Sequence, residues 1–352
     1  MPSVSGGLRR AARFRVTVAF CLLGIVGGAV LYGGNFAYAK WLSSRGPKPL
    51  ATLSAGNGAG DAVDAVGFSP DSLLLAAAYE DGTVRLWDVA THQLADTLPA
   101  GSSAVNGVAF SPDRQLLAAG GADDDLVLWD VGSRKKEASL PAGGVAVNGV
   151  AFSPDSDLVA AAEENGDVRL WDTRTREPGQ NPLSVAGSKT GAAYGVAFDG
   201  NGELVAAYAD GDVRLWDLQH DVVKATFSTG PKPVYAVAVS PDGTRVATAD
   251  GDGTVGLWNL ATGKPAGRPL SAATPRVYGV AFSHDGKTVA AADDNGTARL
   301  WNVATGQPAG PSMRASTGYT FKVAFSVDGG LLATADGDGT VRLWTTVVPP
   351  AS

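Results

Sequence analysis

Residues 104–130 read AVNGVAFSPDRQLLAAGGADDDLVLWD, three apolar runs separated by two turns. Val108–Phe110 lies in the first run, Ser111-Pro112-Asp113 forms a turn, and Leu116–Ala119 makes the second run. An acidic turn, Asp123–Asp125, then leads into a third run that ends in Trp129-Asp130. Runs of about five residues, rich in Val, Ala and Leu and bounded by Gly, Asp or Pro, are strands joined by hairpins. The opening ten residues recur unchanged at 146–155. The tryptophan recurs throughout the chain as Trp87, Trp129, Trp171, Trp216, Trp258, Trp301 and Trp344, at spacings of 42, 42, 45, 42, 43 and 43. A fixed period of this length marks a repeat architecture, each unit burying against its neighbours a face it cannot bury alone. No helical period follows residue 40, so the repeated part is all-β.

The endings Leu86-Trp87-Asp88, Leu128-Trp129-Asp130, Leu170-Trp171-Asp172 and Leu215-Trp216-Asp217 resemble the WD-repeat family over about residues 49–347. The resemblance implies a seven-bladed β-propeller of four-stranded blades. Two departures from the family pattern stand out. The Gly-His pair that precedes the first strand in the family is absent from every repeat. The family's Ser or Thr in the second strand is Ala77, Ala119, Ala161, Ala207 and Ala291, with Thr248 and Thr334 retaining a hydroxyl. The turn position six before each Trp survives as Asp81, Asp123, Asn165, Asp210, Asp252, Asn295 and Asp338, the residue expected to join the Trp in the family's hydrogen-bond network. With most of that network missing, apolar packing is expected to hold the blades.

Strand counting predicts how the ring closes. A fourth-strand segment is expected after each of the first six Trp residues, as at Leu94–Leu98 and Lys136–Leu140, but too little chain follows Trp344. The spare copy stands at the front, where Leu50–Gly56 resembles Thr97–Gly101. Leu50–Leu53 is therefore expected to pair with Val341–Trp344 and remove an open edge. The predicted organisation is a basic segment 1–15, an apolar segment 16–39, a linker 40–48, the propeller 49–347 and a tail 348–352.

Residues 16–39 carry no charge, and as a helix they would reach roughly 36 Å, enough to span a bilayer. The segment reads as a single N-terminal hydrophobic helix serving as transmembrane signal anchor. Ala37-Tyr38-Ala39 also fits a signal-peptide cleavage site, giving a secreted alternative. Four Arg precede the run and three basic residues follow it, which favours a cytoplasmic N-terminus with the propeller outside the cytoplasm. A cytoplasmic propeller is the third placement. Cys21 follows Phe20, so it reads as a buried thiol and not as a lipidation site. Gly24 and Gly28 form a G-x-x-x-G that could support a helix-mediated dimer.

Composition excludes several functions. Hydrophobic residues make up 45%, ruling out wholesale disorder, and one Cys and three His leave no disulfide framework or Cys-based zinc cluster. The seven basic residues of 1–48 stand without an acid; the remainder holds 21 basic against 35 acidic residues, a net of −14. That charge would repel a phosphate backbone, so no nucleic-acid partner is expected. His92, His220 and His284 read as solvated turn residues. No nucleophile motif, zinc motif or P-loop occurs, and no catalytic residue or cofactor is assigned. The Asp-Gly-Asp-Gly-Thr text at 250–254 and 336–340 lacks the further ligands a calcium loop needs.

Two constellations remain. The turns before the Trp strands hold Glu80, Asp81, Asp123–Asp125, Glu163, Glu164, Asp167, Asp210, Asp212, Asp250, Asp252, Asp293, Asp294, Asp336 and Asp338, sixteen of the 35 acids. One Asp or Asn per turn is turn chemistry; the surplus, with Glu80, Asp124, Glu164, Asp250, Asp294 and Asp336, would make one face negative and attract a basic partner. Arg85, Arg169, Arg214, Arg299 and Arg342 are expected to pair with turn carboxylates. Four residues before the Phe or Val that ends each first strand stand Asp64, Asn106, Asn148, Tyr194, Tyr235, Tyr278 and Phe321. If the resemblance gives the strand order, this column rings the channel mouth on the acidic face, either plugging gaps between blades or stacking on Arg and Lys. The reading is a membrane-tethered, non-catalytic scaffold for a protein or peptide with basic residues. The alternative is an extracytoplasmic small-ligand sensor or hydrolase using the channel mouth.

Overall fold

The computed structural model describes residues 47–54, 61–179, 181–185 and 191–346. The apolar segment 16–39, with Cys21, Gly24 and Gly28, and the tail 348–352 lie outside them. Among the described residues no helix is long and apolar enough to cross a membrane.

The described residues form seven antiparallel sheets, each built from strands consecutive in sequence except the last. Their innermost strands are Val63–Phe68, Val105–Phe110, Val147–Phe152, Ala193–Phe198, Val234–Val239, Val277–Phe282 and Thr320–Phe325. Each packs beside the next, and the seventh returns to the first, so the sheets are the blades of a closed ring. The closing contact is the pairing of Ala51–Leu53 with Val341–Thr345, with Ala51 opposite Leu343 and Leu53 opposite Val341. The Leu50 amide extends it by donating to the Leu343 carbonyl at 2.7 Å.

The apolar cores lie between blades. Each of seven clusters joins two neighbours, the Trp of one blade packing on the strands of the blade before it: Trp129 against Ala76 and Leu86, Trp87 against Ala335 and Leu343. Second strands such as Leu74–Tyr79 are buried along nearly their whole length, because both faces meet another sheet. Alanine at these positions leaves room for the facing indole at native packing density. Six ladder tryptophans are buried. Trp258 is partly exposed and stacks on Phe227 with centroids 6.3 Å apart.

Local turn chemistry repeats with the fold. Ser69, Ser111, Ser153, Ser240, Ser283 and Ser326 each donate to the Asp two residues on and accept a backbone amide five residues on. Ser72 adopts φ 59°, and its hydroxyl accepts the Val327 amide at 2.9 Å, linking the first blade to the seventh.

Two expectations need correction. A fourth strand does not follow every one of the first six tryptophans: among the described residues the third blade has three strands, and Pro178 and Leu183 make only isolated bridges. Pro178 and Pro182 lack the amide a strand ladder requires. The outer strands of the fifth and sixth blades shrink to Leu270–Ser271 and Met313–Arg314, again behind prolines, Pro269 and Pro311. The acid in the surviving hydrogen-bond network is also the last residue of the second strand, not the turn residue. Thr248 donates to Asp250 at 3.1 Å and accepts from the Trp258 indole at 3.3 Å; Thr334, Asp336 and Trp344 repeat both distances. In the fourth blade the Tyr208 hydroxyl takes the Trp216 indole at 3.2 Å instead, while the Trp171 indole N–H has no partner.

Candidate functional site

In every inner strand the pairing register shifts around the second residue, between Val63 and Ala65 in the first blade and at the equivalent step in the rest. The residue at the bulge is the column residue: Asp64, Asn106, Asn148, Tyr194, Tyr235, Tyr278 or Phe321. A bulge leaves its extra residue outside the ladder and re-aims the side chain. Because Val63 stands opposite Tyr79, the entry of the inner strand and the turn that follows the second strand share one face. The column and the acidic turns therefore lie together.

The column is split in two. Tyr194, Tyr235, Tyr278 and Phe321 form an unbroken row of ring contacts, with successive centroids 5.4, 5.3 and 5.7 Å apart. Sequence reasoning missed a fifth ring, Tyr319, which is 50% exposed and packs 6.0 Å from Tyr278 and 5.8 Å from Phe321. Its signal was an aromatic two residues before a column position, in one repeat only. The polar half bridges blades: the Asn106 amide donates to the Val147 carbonyl at 2.9 Å, and that of Asn148 to the Ala193 carbonyl at 3.0 Å and to Glu164 at 2.9 Å. Burial, reinforced by Glu80 and opposed by Lys322, pushes the Asp64 carboxyl up to about 7.

The acidic face is weaker than its composition. All five arginines two before a Trp pair with carboxylates: Arg85 with Asp81, Arg169 with Glu163 at 2.8 Å, Arg214 with Asp210 and Asp212 at 2.7 and 3.1 Å, Arg299 with Asp293, and Arg342 with Asp336 and Asp338 at 2.7 Å each. The partner follows the local sequence. Where the second strand ends in tyrosine, the guanidinium lies over the ring, at 3.9 Å for Arg85 on Tyr79 and 4.6 Å for Arg214 on Tyr208, and bonds the turn Asp. Where the turn residue is Asn165 or Asn295, it bonds the strand-end acid.

Asp250 and Asp336, expected on the rim, are buried at 4% and 0% exposure and are not available to a docked partner. The reason is their place in the last position of a fully covered strand. Glu80, Asp124 and Glu164 are exposed, and Asp294 is partly exposed with its carboxylate accepting from Thr274. Glu80, Asp124 and Glu164 accompany Asp64 on the first three blades; the rings occupy the fourth to seventh. Among the described residues no group of three or more His, Cys, Asp or Glu could hold a metal ion.

Below the mouth, the third residue of each inner strand is Ala65, Gly107, Gly149, Gly195, Ala236, Gly279 and then Lys322. A Cβ on Gly279 would stand 2.8 Å from the Lys322 Cα, so glycine is what lets these strands approach. The fourth residue is valine in all seven, from Val66 to Val323, and with Lys322, Asn106, Asn148 and Tyr194 these line a cavity of about 150 Å³.

The sequence model of the WD domain, G-beta repeat, matches residues 47–88, 93–130, 135–172, 180–217, 222–259, 267–302 and 312–345, one match for each blade. The chain belongs to the WD-repeat family. Seven WD repeats and seven blades coincide, the first match containing the closing strand. WD-repeat propellers are typically non-catalytic scaffolds that bind proteins. No curated protein matches the chain.

Proposed function

We propose that this WD-repeat propeller is a membrane-tethered, non-catalytic scaffold whose mouth face docks a peptide segment of a partner protein. The observation that carries the reading is the contiguous row of five rings beside an acidic sector. Aromatic rows of this kind supply large contact area at low conformational cost. Tyr194, Tyr235, Tyr278, Tyr319 and Phe321 would take the apolar or cationic side chains of the segment. Glu80, Asp124, Glu164 and Asp64 would attract its basic residues, mainly through association rate and orientation. The tether is the apolar segment 16–39, with the N-terminus cytoplasmic and the propeller outside; cleavage near Ala39 would release the same propeller as a secreted protein.

The test is a quantitative pull-down from detergent-solubilised native membranes. Wild type is compared with Tyr194→Ala, Tyr235→Ala and Tyr278→Ala combined and with Glu80→Lys, Asp124→Lys and Glu164→Lys combined, with folding followed by melting temperature. A partner lost from both folded variants supports the reading, and one retained by both refutes it. Protease shaving of intact cells tests the placement, since a propeller left uncut would be cytoplasmic.

A further inference from the structure

The channel below the mouth has a feature that the rim reading does not use. Six inner strands place Gly or Ala at their third position, and the seventh places Lys322 there, so a single long cation lines a cavity walled by a ring of seven valines, with Asn106, Asn148 and Tyr194 beside them. The side chain crosses in front of Gly279, where a Cβ would stand 3.4 Å from the Lys322 Cδ. Among the described residues no carboxylate lies within 4.0 Å of its ammonium. Asp64 interacts with it from farther away. Crowding by the channel wall pulls the Lys322 ammonium down to about 8, which still leaves it mostly charged at neutral pH. A cation held in a narrow cavity without a contact counter-charge favours an anion beside it.

The geometry points to the channel as a binding site for a small carboxylate with a short apolar tail, the head group paired with Lys322 and the tail against the valine ring. Three properties select this class. The cavity of about 150 Å³ admits a few heavy atoms and excludes a folded segment. The valine ring offers contact to methyl and methylene groups but nothing to a fully hydrated anion. Asn106 lines the cavity, and its amide, which makes one bond to the Val147 carbonyl, has a second N–H to donate. The same chemistry is presented by a free short-chain acid and by the C-terminal carboxylate of a peptide ending in a small apolar residue. The inference does not rest on the scaffold reading, because free acids are tested with no partner present. The channel also disfavours the simplest use of the mouth by a basic partner: the like charge of Lys322, which lines the cavity, keeps its Lys or Arg over the rings and acids of the rim.

The experiment is a thermal titration of the full-length chain with sodium propionate, ionic strength being held with sodium chloride. Wild type should show a saturable rise in melting temperature, about 2 to 4 °C at roughly tenfold the dissociation constant. Lys322→Met should lose the rise, and Lys322→Arg should keep part of it. If Lys322→Met does not fold, saturation-transfer NMR on wild type decides, with transfer from valine methyls to propionate supporting the site and its absence refuting it. Equal rises with phosphate or chloride, or an undiminished rise in Lys322→Met, would overturn the proposal. A tripeptide Gly-Gly-Val tested as free acid and as amide separates the sources: a response to the free acid alone assigns a peptide C-terminus, and a response to propionate alone assigns a free acid.

Discussion

Asp250 and Asp336 hold the same position in the fifth and seventh blades but differ in their surroundings. Arg342 reaches Asp336 at 2.7 Å, whereas the matching residue beside Asp250 is Gly256. No larger residue fits there without movement, because a Cβ would stand 2.4 Å from the Thr248 hydroxyl. One carboxylate oxygen of Asp250 thus has no partner, and burial, opposed by Thr248 and reinforced by Asp252, pushes its carboxyl up to about 7. A folded-state value raised above the unfolded one means that the group's contribution is fully present below about pH 4 and is lost as pH rises through about 7. Asp250→Asn should therefore stabilise the propeller increasingly over that window. At pH 8 the gain should be on the order of 3 kcal/mol, read as a higher urea midpoint than wild type, and it should shrink towards pH 4. Lys322 is the counterpart case at the channel. Its position carries Gly or Ala in the other six repeats, so no periodic signal marks it, and only the closed ring shows that the seven positions converge on one axis.

At the scale of strands, the repeat text was legible because each blade carries its own turn triplet, apolar run and Trp. The closing strand Ala51–Leu53 followed from counting outer strands, and it places Leu53 at 2% exposure in the core between the last blade and the first. Deleting residues 49–54 should lower the melting temperature sharply, while Leu53→Ala alone should cost about 2 to 5 kcal/mol by denaturant titration. An unchanged melting temperature for the deletion would remove the strand's role in closure. What sequence could not give was the outer edge of the third blade, where two prolines reduce a strand to bridges. It also could not separate an acid in a turn from an acid at a strand end one residue earlier. The two differ by a single step along the chain, yet Glu164 is solvated and Glu163 is buried against Arg169. The column was legible as a position, but its division into a ring-bearing and a polar half acquires meaning only once consecutive repeats are neighbours in space.

Over the whole molecule, two populations of carboxylates set opposing pH responses. Half-buried Asp64 and buried Asp250 and Asp336 have values raised to about 7, 7 and 6 by desolvation, so they remove stability as pH rises from about 4 to 7. The turn acids Asp71, Asp155, Asp242, Asp285 and Asp328 are held low chiefly by the serine hydroxyl of the same turn, so they remove stability as pH falls below about 4. The propeller should be most resistant to urea near pH 4, and a midpoint that climbs steadily to pH 8 would contradict this balance. The seam carries a different consequence. Residues 51–53 leave the ribosome long before 341–343, their partners, so the earliest-made strand waits for the latest-made one and the seventh blade is assembled from both ends of the propeller. Contacts this distant in sequence are slow to form. Until they do, the nascent chain exposes two unpaired edges, and the interval between synthesis and closure is when this protein most needs protection from its neighbours.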